Sequence, residues 1–327
     1  MLLAGELRRT MYRDMVLTRC FDEQATALQR QGKLALWAPS LGQEAAQVGS
    51  AHAAGEHDWI QPSYRDHGVL QARGVALTDV LALFRGSDHG GWDAERHRVQ
   101  LYTLVVGAQV LHAVGYAMGL ALDGVPGAVI VYLGDGATSQ GEVSEALVWA
   151  ASCKAPVLFF IQNNGWAIST PTATQAAVPL ARRGEGFGVG GSQVDGNDVS
   201  ACYSATRAAL ERIHAGGGPE IIEAVTYRLG PHTTSDDPSS YRPKAEEAAW
   251  QERDPIALAR AALEGDGLAD EGFFAAASSA GAALAAAARE RCARPETLAL
   301  RQCFDHVYAT DHPLVAEELA DLVGAQA

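Results

Sequence analysis

The sequence predicts an α/β protein built on a doubly wound, mainly parallel sheet with helices on both faces. The first observation is the segment 129–170, in which two short, uncharged and apolar runs, 129–133 and 156–161, enclose a helical pattern. Such runs are typical of parallel strands that are covered on both faces. The second observation is that a strand, a helix and a strand are predicted further on, at 192–194, 198–214 and 219–227. This alternation predicts a single sheet joined by right-handed crossovers.

Both ends of the chain are predicted to be helical. Because 327 residues that are 48% hydrophobic can bury a large core, we expect a single domain over 1–327. A helical N-terminal arm at 1–40 is predicted from apolar residues at helical spacing, and a C-terminal extension at 244–327 is expected to be mostly helical. Helices in the extension are predicted at 245–253, 255–263 and 273–294.

The charge and cysteine content restrict the class of protein. A net charge of −14, spread along the chain, argues against binding to nucleic acid or anionic membranes. The five cysteines form no C-x-x-C pair and the N-terminus is too polar for a signal peptide, so a cytoplasmic location is expected.

The uncharged run at 98–123 is long enough to suggest a membrane helix. Gln109 and His112 interrupt it, and no basic flank sets an orientation, so we predict a fully buried helix instead. Gly115 and Gly119 have the spacing that lets another helix approach closely, which suggests a contact across a subunit boundary.

Polar clusters follow two neighbouring predicted strands. Gly134-Asp135-Gly136 ends the first strand, and Gln162-Asn163-Asn164 ends the second. In an open α/β sheet, ligands bind at the carboxyl ends of the strands, and a helix N-terminus suits a phosphate group. We therefore expect both clusters to contribute to one ligand site.

Two helix starts are predicted near these clusters. Ser139 and Glu142 have the spacing of a capping box, which predicts a helix over about 139–152. Ser40 is placed to cap an earlier helix that contains Gln43 and Glu44.

Asp135 indicates the type of phosphate ligand. A carboxylate would repel a diphosphate unless a cation lay between them, and a carboxylate, an Asn oxygen and a main-chain carbonyl form a hard site that suits Mg²⁺. A magnesium diphosphate is therefore predicted. A dinucleotide fingerprint would need Gly where Ser139 stands, and a Walker loop would need a Gly-Lys-Ser/Thr ending. The Gly-Asp-Gly turn alone is more simply a strand-to-helix connection, and the Asn pair favours the ligand site.

The two clusters also resemble a known family. Gly134-Asp135-Gly136 followed by Asn163-Asn164 is similar to the thiamin diphosphate signature of thiamin-dependent enzymes. More narrowly, GDGATSQGE and NNGWAISTPT resemble the alpha subunit of the decarboxylating dehydrogenase component of 2-oxo acid dehydrogenase complexes, over about 32–304. The branched-chain (2-oxoisovalerate) type is a better match than the pyruvate type. The resemblance implies a thiamin diphosphate-binding fold with thiamin diphosphate and Mg²⁺ as cofactors.

The resemblance implies the residues of the site. Asp135, Asn164 and the carbonyl of Trp166 would bind the metal. The cofactor would also contact residues around the turn and the Asn pair, and residues of two more distant segments. Tyr64 and Arg65 lie in a Tyr-Arg-Asp motif that contacts the diphosphate in the family, a role that suits the forked guanidinium. The other cofactor-binding residues implied are Leu104, Val106, Gly134, Gly136, Ala137 and Gln162.

A polar loop after the last predicted strand adds the catalytic candidate. It contains His232 and resembles the family loop whose His helps position the cofactor and the incoming lipoyl group. We expect the loop to be mobile until an anion orders it. Thr233 occupies a place comparable to the regulatory phosphorylation site of some eukaryotic relatives.

The function implied is oxidative decarboxylation of branched-chain 2-oxo acids, such as 3-methyl-2-oxobutanoate, with acyl transfer to a lipoyl group. The chain would be the alpha subunit of an α2β2 enzyme whose beta subunit provides the cofactor-activating Glu, and would be inactive alone. The lipoyl acyltransferase core and dihydrolipoyl dehydrogenase would be further partners. Four alternatives remain: a pyruvate dehydrogenase or an acetoin dehydrogenase alpha subunit, a Rossmann-type NAD oxidoreductase, and a non-catalytic subunit.

Overall fold

A parallel five-stranded sheet forms the centre of the protein. The computed structural model describes residues 3–87, 91–294, 299–305 and 307–324. The strands run in the spatial order β1-β2-β3-β7-β6, and every pair is parallel. Their bounds are β1 Trp59–Gln61, β2 Val129–Gly134, β3 Val157–Asn163, β6 Gly190–Asp195 and β7 Glu220–Val225. A separate two-stranded antiparallel ladder pairs β4 Trp166–Ala167 with β5 Thr170–Pro171.

Helices account for most of the remaining described chain. The helices that precede β6 are α1 Gly5–Arg30, α2 Glu44–Ala53, α3 His67–Ala72, α4 Leu77–Arg85, α5 Ala94–His97, α6 Ala108–Leu122, α7 Gly141–Cys153 and α8 Thr172–Gln175. Those that follow it are α9 Val199–Arg212, α10 Lys244–Gln251, α11 Pro255–Gly265, α12 Glu271–Ala293 and α13 Pro313–Gly324.

The sheet is apolar on both faces, as the sequence predicts. Along β2, Ile130 and Tyr132 lie in the core on one side of the sheet, with residues of α1, α2, α4 and α9. Val129 and Val131 lie in the core on the other side, with residues of α6 and α7. Because successive side chains of a strand point to opposite faces, an uninterrupted apolar run fills both layers. The predicted fold class, a parallel α/β sheet between layers of helices, is confirmed.

The strand register brings the two polar clusters together. In the β2–β3 pair, Gly134 lies opposite Gln162, so the Gly-Asp-Gly turn and the Asn pair leave the sheet side by side. The two clusters therefore lie together at the carboxyl edge of the sheet, as predicted.

Both predicted helix caps are wrong. The turn after Asp135 is a 3-10 turn, Gly136–Ser139, and α7 begins only at Gly141 with Gln140 as an N-cap that makes no side-chain bond. The Thr138 hydroxyl donates to the Asp135 carbonyl at 2.6 Å and so stabilises the 3-10 turn that precedes α7. Likewise, α2 begins after Gln43 instead of being capped by Ser40.

Helix α6 is buried on one side only, so the prediction of a fully buried helix is wrong. Val110, Ala113 and Ala117 are inaccessible to solvent, whereas Leu122 is 84% exposed. At Gly115 and Gly119 a Cβ atom would meet nothing within 4 Å. The small-residue face of α6 therefore contacts no other element of the described chain. No described helix is both long enough and apolar enough to cross a membrane.

The helices predicted at the chain ends are present, and they pack together. Helix α12 lies along α1, and the contact is so close that a Cβ on Gly281 would come within 2.5 Å of the Cys20 sulfur. Helix α13 lies within the extension that was expected to be mostly helical, but it is not one of the three helices predicted there. All five cysteines are free thiols.

Candidate active site

The Gly-Asp-Gly turn forms one wall of a cavity at the carboxyl edge of the sheet. A side chain at Gly136 would bring its Cβ within 2.6 Å of the Ala167 Cβ, so only glycine fits. Asp135 is 2% exposed. Its Oδ2 accepts hydrogen bonds from the Thr172 hydroxyl at 2.9 Å and the Gln175 amide at 3.0 Å. Burial raises the pKa of the Asp135 carboxyl, against the opposing effects of its hydrogen bonds and of the Arg228 charge.

The two residues of the Asn pair have different surroundings. Asn163 is bound to the scaffold, since its Nδ2 donates to Glu223 at 2.8 Å. Asn164 lines the cavity, and its Nδ2 donates to Gln43 Oε1 at 3.0 Å while its Oδ1 accepts from the Trp166 N–H at 3.3 Å. Asn164, Asp135, the turn and Trp166 therefore line the same cavity.

The cavity measures about 260 Å³ and collects nearly all the residues that the sequence indicated. The indicated residues that line it are Tyr64, Arg65, Val106, Gly134, Asp135, Gly136, Ala137, Gln162, Asn164, Trp166 and His232. Leu104 is the exception: it is not part of the cavity wall, and its side chain is 54% exposed.

Two arginines place positive charge in the wall of the same cavity. Arg65 donates to the His232 carbonyl at 2.8 Å, and the fully buried Arg228 donates to the carbonyls of Trp166 and Ile168, both at 2.9 Å. Neither guanidinium has a carboxylate partner within 4 Å among the described residues. Burial, and then the charge of Arg65, lower the pKa of Arg228 to about 10. Two buried cations without a counter-charge favour an anionic ligand.

His232 is uncharged and has a defined tautomer. Burial, and then the charge of Arg65, lower its pKa to about 4. Arg65 Nη2 lies 3.1 Å from His232 Nδ1, and because a guanidinium only donates, Nδ1 must be the acceptor. The ring proton is therefore on Nε2, which has no partner among the described residues.

The loop that carries His232 makes several hydrogen bonds of its own and to another segment. The Asp236 carboxylate accepts from the His232 N–H at 2.8 Å and from the Tyr241 hydroxyl at 2.5 Å. The Thr234 N–H donates to the Trp37 carbonyl at 2.9 Å. These bonds connect His232 to Asp236 and the loop to Trp37.

Gln162 belongs to the wall, but its amide is already bonded. Its Nε2 donates to Asp66 at 2.6 Å, and its Oε1 accepts from the Gln47 amide at 2.9 Å. Burial raises the pKa of the Asp66 carboxyl to about 6, against the effect of the Gln162 bond. Gln162 thus shapes the cavity wall and holds Asp66 in position.

Five polar residues of the cavity were not assigned to the cofactor site from the sequence: Gln43, Ser63, Asp66, Gln140 and Arg228. Asp66 is the last residue of the Tyr-Arg-Asp motif. Arg228 lies just before His232, in the segment Tyr-Arg-Leu-Gly-Pro-His. Both could therefore have been included from the motifs that contain them. Gln43 reaches the site through packing of α2 on the sheet, which local spacing does not reveal.

Comparison with known proteins shows the family to which the chain belongs. Residues 12–292 match the family model described as the dehydrogenase E1 component. The chain belongs to this family. The dehydrogenase E1 component family depends on thiamin diphosphate, and the resemblance to its alpha subunits inferred from the sequence is confirmed.

Similar curated proteins include alpha subunits of two types. One is the 3-methyl-2-oxobutanoate dehydrogenase subunit alpha of Mycobacterium tuberculosis, 46% identical over 81% of this chain and 73% of the relative. Others are pyruvate dehydrogenase E1 component alpha subunits of Staphylococcus epidermidis and Staphylococcus aureus, each 43% identical over 79% of this chain and 70% of the relative. The E1 component chemistry is common to both types, and the 2-oxo acid differs.

Proposed function

We propose that this chain is the alpha subunit of a 3-methyl-2-oxobutanoate dehydrogenase and binds magnesium thiamin diphosphate in the cavity described above. The observation that carries the proposal is the charge arrangement. The oxygens of Asp135 and Asn164 and the guanidinium groups of Arg65 and Arg228, which have no carboxylate partner among the described residues, line one cavity. A cation would neutralise the acidic group, and a diphosphate would neutralise the arginines.

The residues present suit Mg²⁺. Asp135 Oδ1 accepts from no other residue in the described chain, Asn164 presents Oδ1, and the Trp166 carbonyl has a second lone pair besides the one that accepts from Arg228. Three oxygens of this kind are the ligands that Mg²⁺ prefers, and the diphosphate would complete the shell. No cluster of three His, Cys, Asp or Glu residues occurs among the described residues, so a softer metal is disfavoured.

The polar side chains of the cavity would bind and orient the cofactor. When bound, thiamin diphosphate supplies a nucleophilic carbon and an electron sink for decarboxylation. Arg65 and Arg228 would hold the diphosphate oxygens, and Tyr64 would add a neutral donor. Neutral His232 would hold a proton at Nε2 and offer it as a hydrogen bond to the acyl group or to the incoming lipoyl sulfur.

An exposed apolar mouth supports a partner subunit. Val105 and Val106 are 71% and 44% exposed beside the cavity, and Leu104 is similarly exposed. The two carboxylates of the cavity, Asp66 and Asp135, are already engaged, so neither is free to activate the cofactor. We propose that a beta subunit covers this mouth and provides the activating Glu in an α2β2 enzyme. A lipoyl acyltransferase and dihydrolipoyl dehydrogenase would complete the complex.

The branched-chain substrate is supported by the somewhat higher identity to the Mycobacterium tuberculosis relative, and the Staphylococcus relatives favour pyruvate as the alternative. The test is kcat/KM of the assembled enzyme for 3-methyl-2-oxobutanoate and for pyruvate. We expect at least about a tenfold preference for the branched acid, because added methyl groups are each discriminated by about 1–3 kcal/mol in an apolar pocket. A preference for pyruvate would assign the chain to the other type.

A further inference from the structure

Gln43 has contacts that the proposed roles do not explain. It is 1% exposed, precedes α2, and lines the cavity beside Asn164. Its Oε1 accepts from Asn164 Nδ2 at 3.0 Å. Its own Nε2 is buried and has no hydrogen-bond partner. An unpaired buried donor destabilises the folded chain, so its presence at Gln43 needs an explanation.

The reason lies in the two ends of the Asn164 amide. An Asn side chain presents either an oxygen or an NH₂ group to a neighbour, and only the oxygen can bind a cation. The Trp166 N–H contacts Asn164 Oδ1 at 3.3 Å, which is a long and therefore weak bond. The bond to Gln43 is shorter and is the only side-chain acceptor for Asn164 Nδ2 among the described residues.

We propose that Gln43 is a positioning residue that keeps Asn164 turned with its oxygen toward the bound cation. This inference rests on the proposed magnesium diphosphate site. Because Gln43 Oε1 accepts from the Asn164 NH₂ group, the Asn164 oxygen is left as the end of the amide that can bind a cation. Loss of the acceptor leaves the amide free to turn its NH₂ group toward the metal, where it repels the cation.

The experiment measures Mg²⁺ affinity of the assembled enzyme by titration calorimetry with thiamin diphosphate present. Gln43→Leu retains the approximate size and removes the acceptor. We expect Mg²⁺ to bind about 3- to 10-fold more weakly, as the loss of one hydrogen bond implies. Gln43→Glu retains an oxygen for Asn164 Nδ2 and should bind Mg²⁺ no more weakly than the wild type.

A matched control separates positioning from general damage. Gln109 is also 1% exposed, and its Nε2 donates to the Tyr132 carbonyl at 2.9 Å while its Oε1 has no partner. Gln109→Leu should lower the melting temperature and leave Mg²⁺ affinity unchanged.

The Asn164→Asp background gives the sharpest test. Both terminal atoms of the Asp side chain are oxygens, so its orientation no longer matters. Adding Gln43→Leu to Asn164→Asp should therefore produce no further loss of Mg²⁺ affinity. Equal affinity of Gln43→Leu and wild type, or an equal loss with Gln43→Glu, would overturn the inference. Absence of Mg²⁺ uptake by the wild type would instead overturn the proposed function on which it rests.

Discussion

At the residue scale, the site is defined by charged side chains that have no oppositely charged partner among the described residues. Arg65 and Arg228 contact carbonyls instead of carboxylates, and Asp135 contacts a hydroxyl and an amide instead of a cation. Each arrangement is costly in the free chain because buried charges lack a counter-charge. Ligand binding recovers that cost, so single substitutions here should affect ligand affinity more than folding.

Replacing Asp135 by Asn tests this directly. The carboxyl pKa is raised by burial, so the ionised group opposes folding of the free chain, and Asp135→Asn should leave the melting temperature unchanged or higher. Affinity for magnesium thiamin diphosphate should fall at least about 100-fold, because a charged metal ligand is lost. Calorimetry and thermal unfolding of the assembled enzyme measure both effects. Asp198→Asn is the control, since Asn also caps α9. Unchanged affinity in Asp135→Asn would contradict the metal assignment.

Thr172 should act through Asp135. Thr172→Val removes the hydroxyl that donates to Asp135 Oδ2 while conserving shape, and we expect about 3- to 10-fold weaker Mg²⁺ binding. Thr206→Val is the matched control, because the Thr206 hydroxyl is buried without a partner and its removal should be neutral or stabilising. An equal change of Mg²⁺ affinity in both variants would contradict this role of Thr172.

Asp22 predicts a pH dependence of stability away from the cavity. Its carboxylate accepts from the Trp37 indole at 2.7 Å and the Ser40 N–H at 2.9 Å, yet burial raises its pKa to about 7 from an ordinary 3.8. A raised pKa means that the folded chain retains the proton longer. The stabilisation is therefore full below about pH 4 and is lost as the pH rises through about 7.

The measurement is the melting temperature of wild type and Asp22→Asn at about pH 5.5 and about pH 8. Asn cannot ionise, so the advantage of the wild type over the variant should be larger at the lower pH. A difference that is constant across this range would show that the Asp22 carboxyl does not titrate there.

At the element scale, apolar periodicity predicted most of the structure and local cap motifs did not. The strands β2, β3, β6 and β7 and the helices α1, α9, α11 and α12 lie where the sequence places them. The two cap predictions failed because backbone turns and tertiary contacts decided the start of α2 and α7. The burial of α6 was predicted too broadly because an uncharged sequence does not show which face of the helix packs on the sheet.

The outward face of α6 should be an assembly surface for the beta subunit. Side chains at Gly119 meet nothing within the chain, so Gly119→Leu should fold normally and even gain helix propensity. Assembly with the beta subunit should weaken, which native mass spectrometry of the mixed subunits would measure. Gly265→Leu, at another open glycine near the end of α11, is the control and should assemble normally. Normal assembly of Gly119→Leu would place the interface elsewhere.

At the scale of the whole molecule, the cavity collects residues from segments far apart in the sequence. Tyr64 and Arg65 follow β1, Asp135 follows β2, Asn164 follows β3, and His232 lies on the loop beyond β7. Motif spacing identified these residues because each follows a strand in a recognisable pattern. Motif spacing could not identify Gln43, because the position of Gln43 depends on how α2 packs. Nor could it show that the Gln162 amide is bonded to other side chains of the protein. The position of Leu104 outside the cavity wall likewise depends on the conformation of an exposed segment.

The central claim is that this chain holds the cofactor and needs a second subunit for catalysis. The most direct measurement is 3-methyl-2-oxobutanoate-dependent reduction of an artificial electron acceptor, with thiamin diphosphate and Mg²⁺, by the purified chain, the beta subunit and the mixture. The account predicts turnover only in the mixture, and its loss with Asp135→Asn. Turnover by the chain alone at a rate comparable to that of the mixture would contradict it.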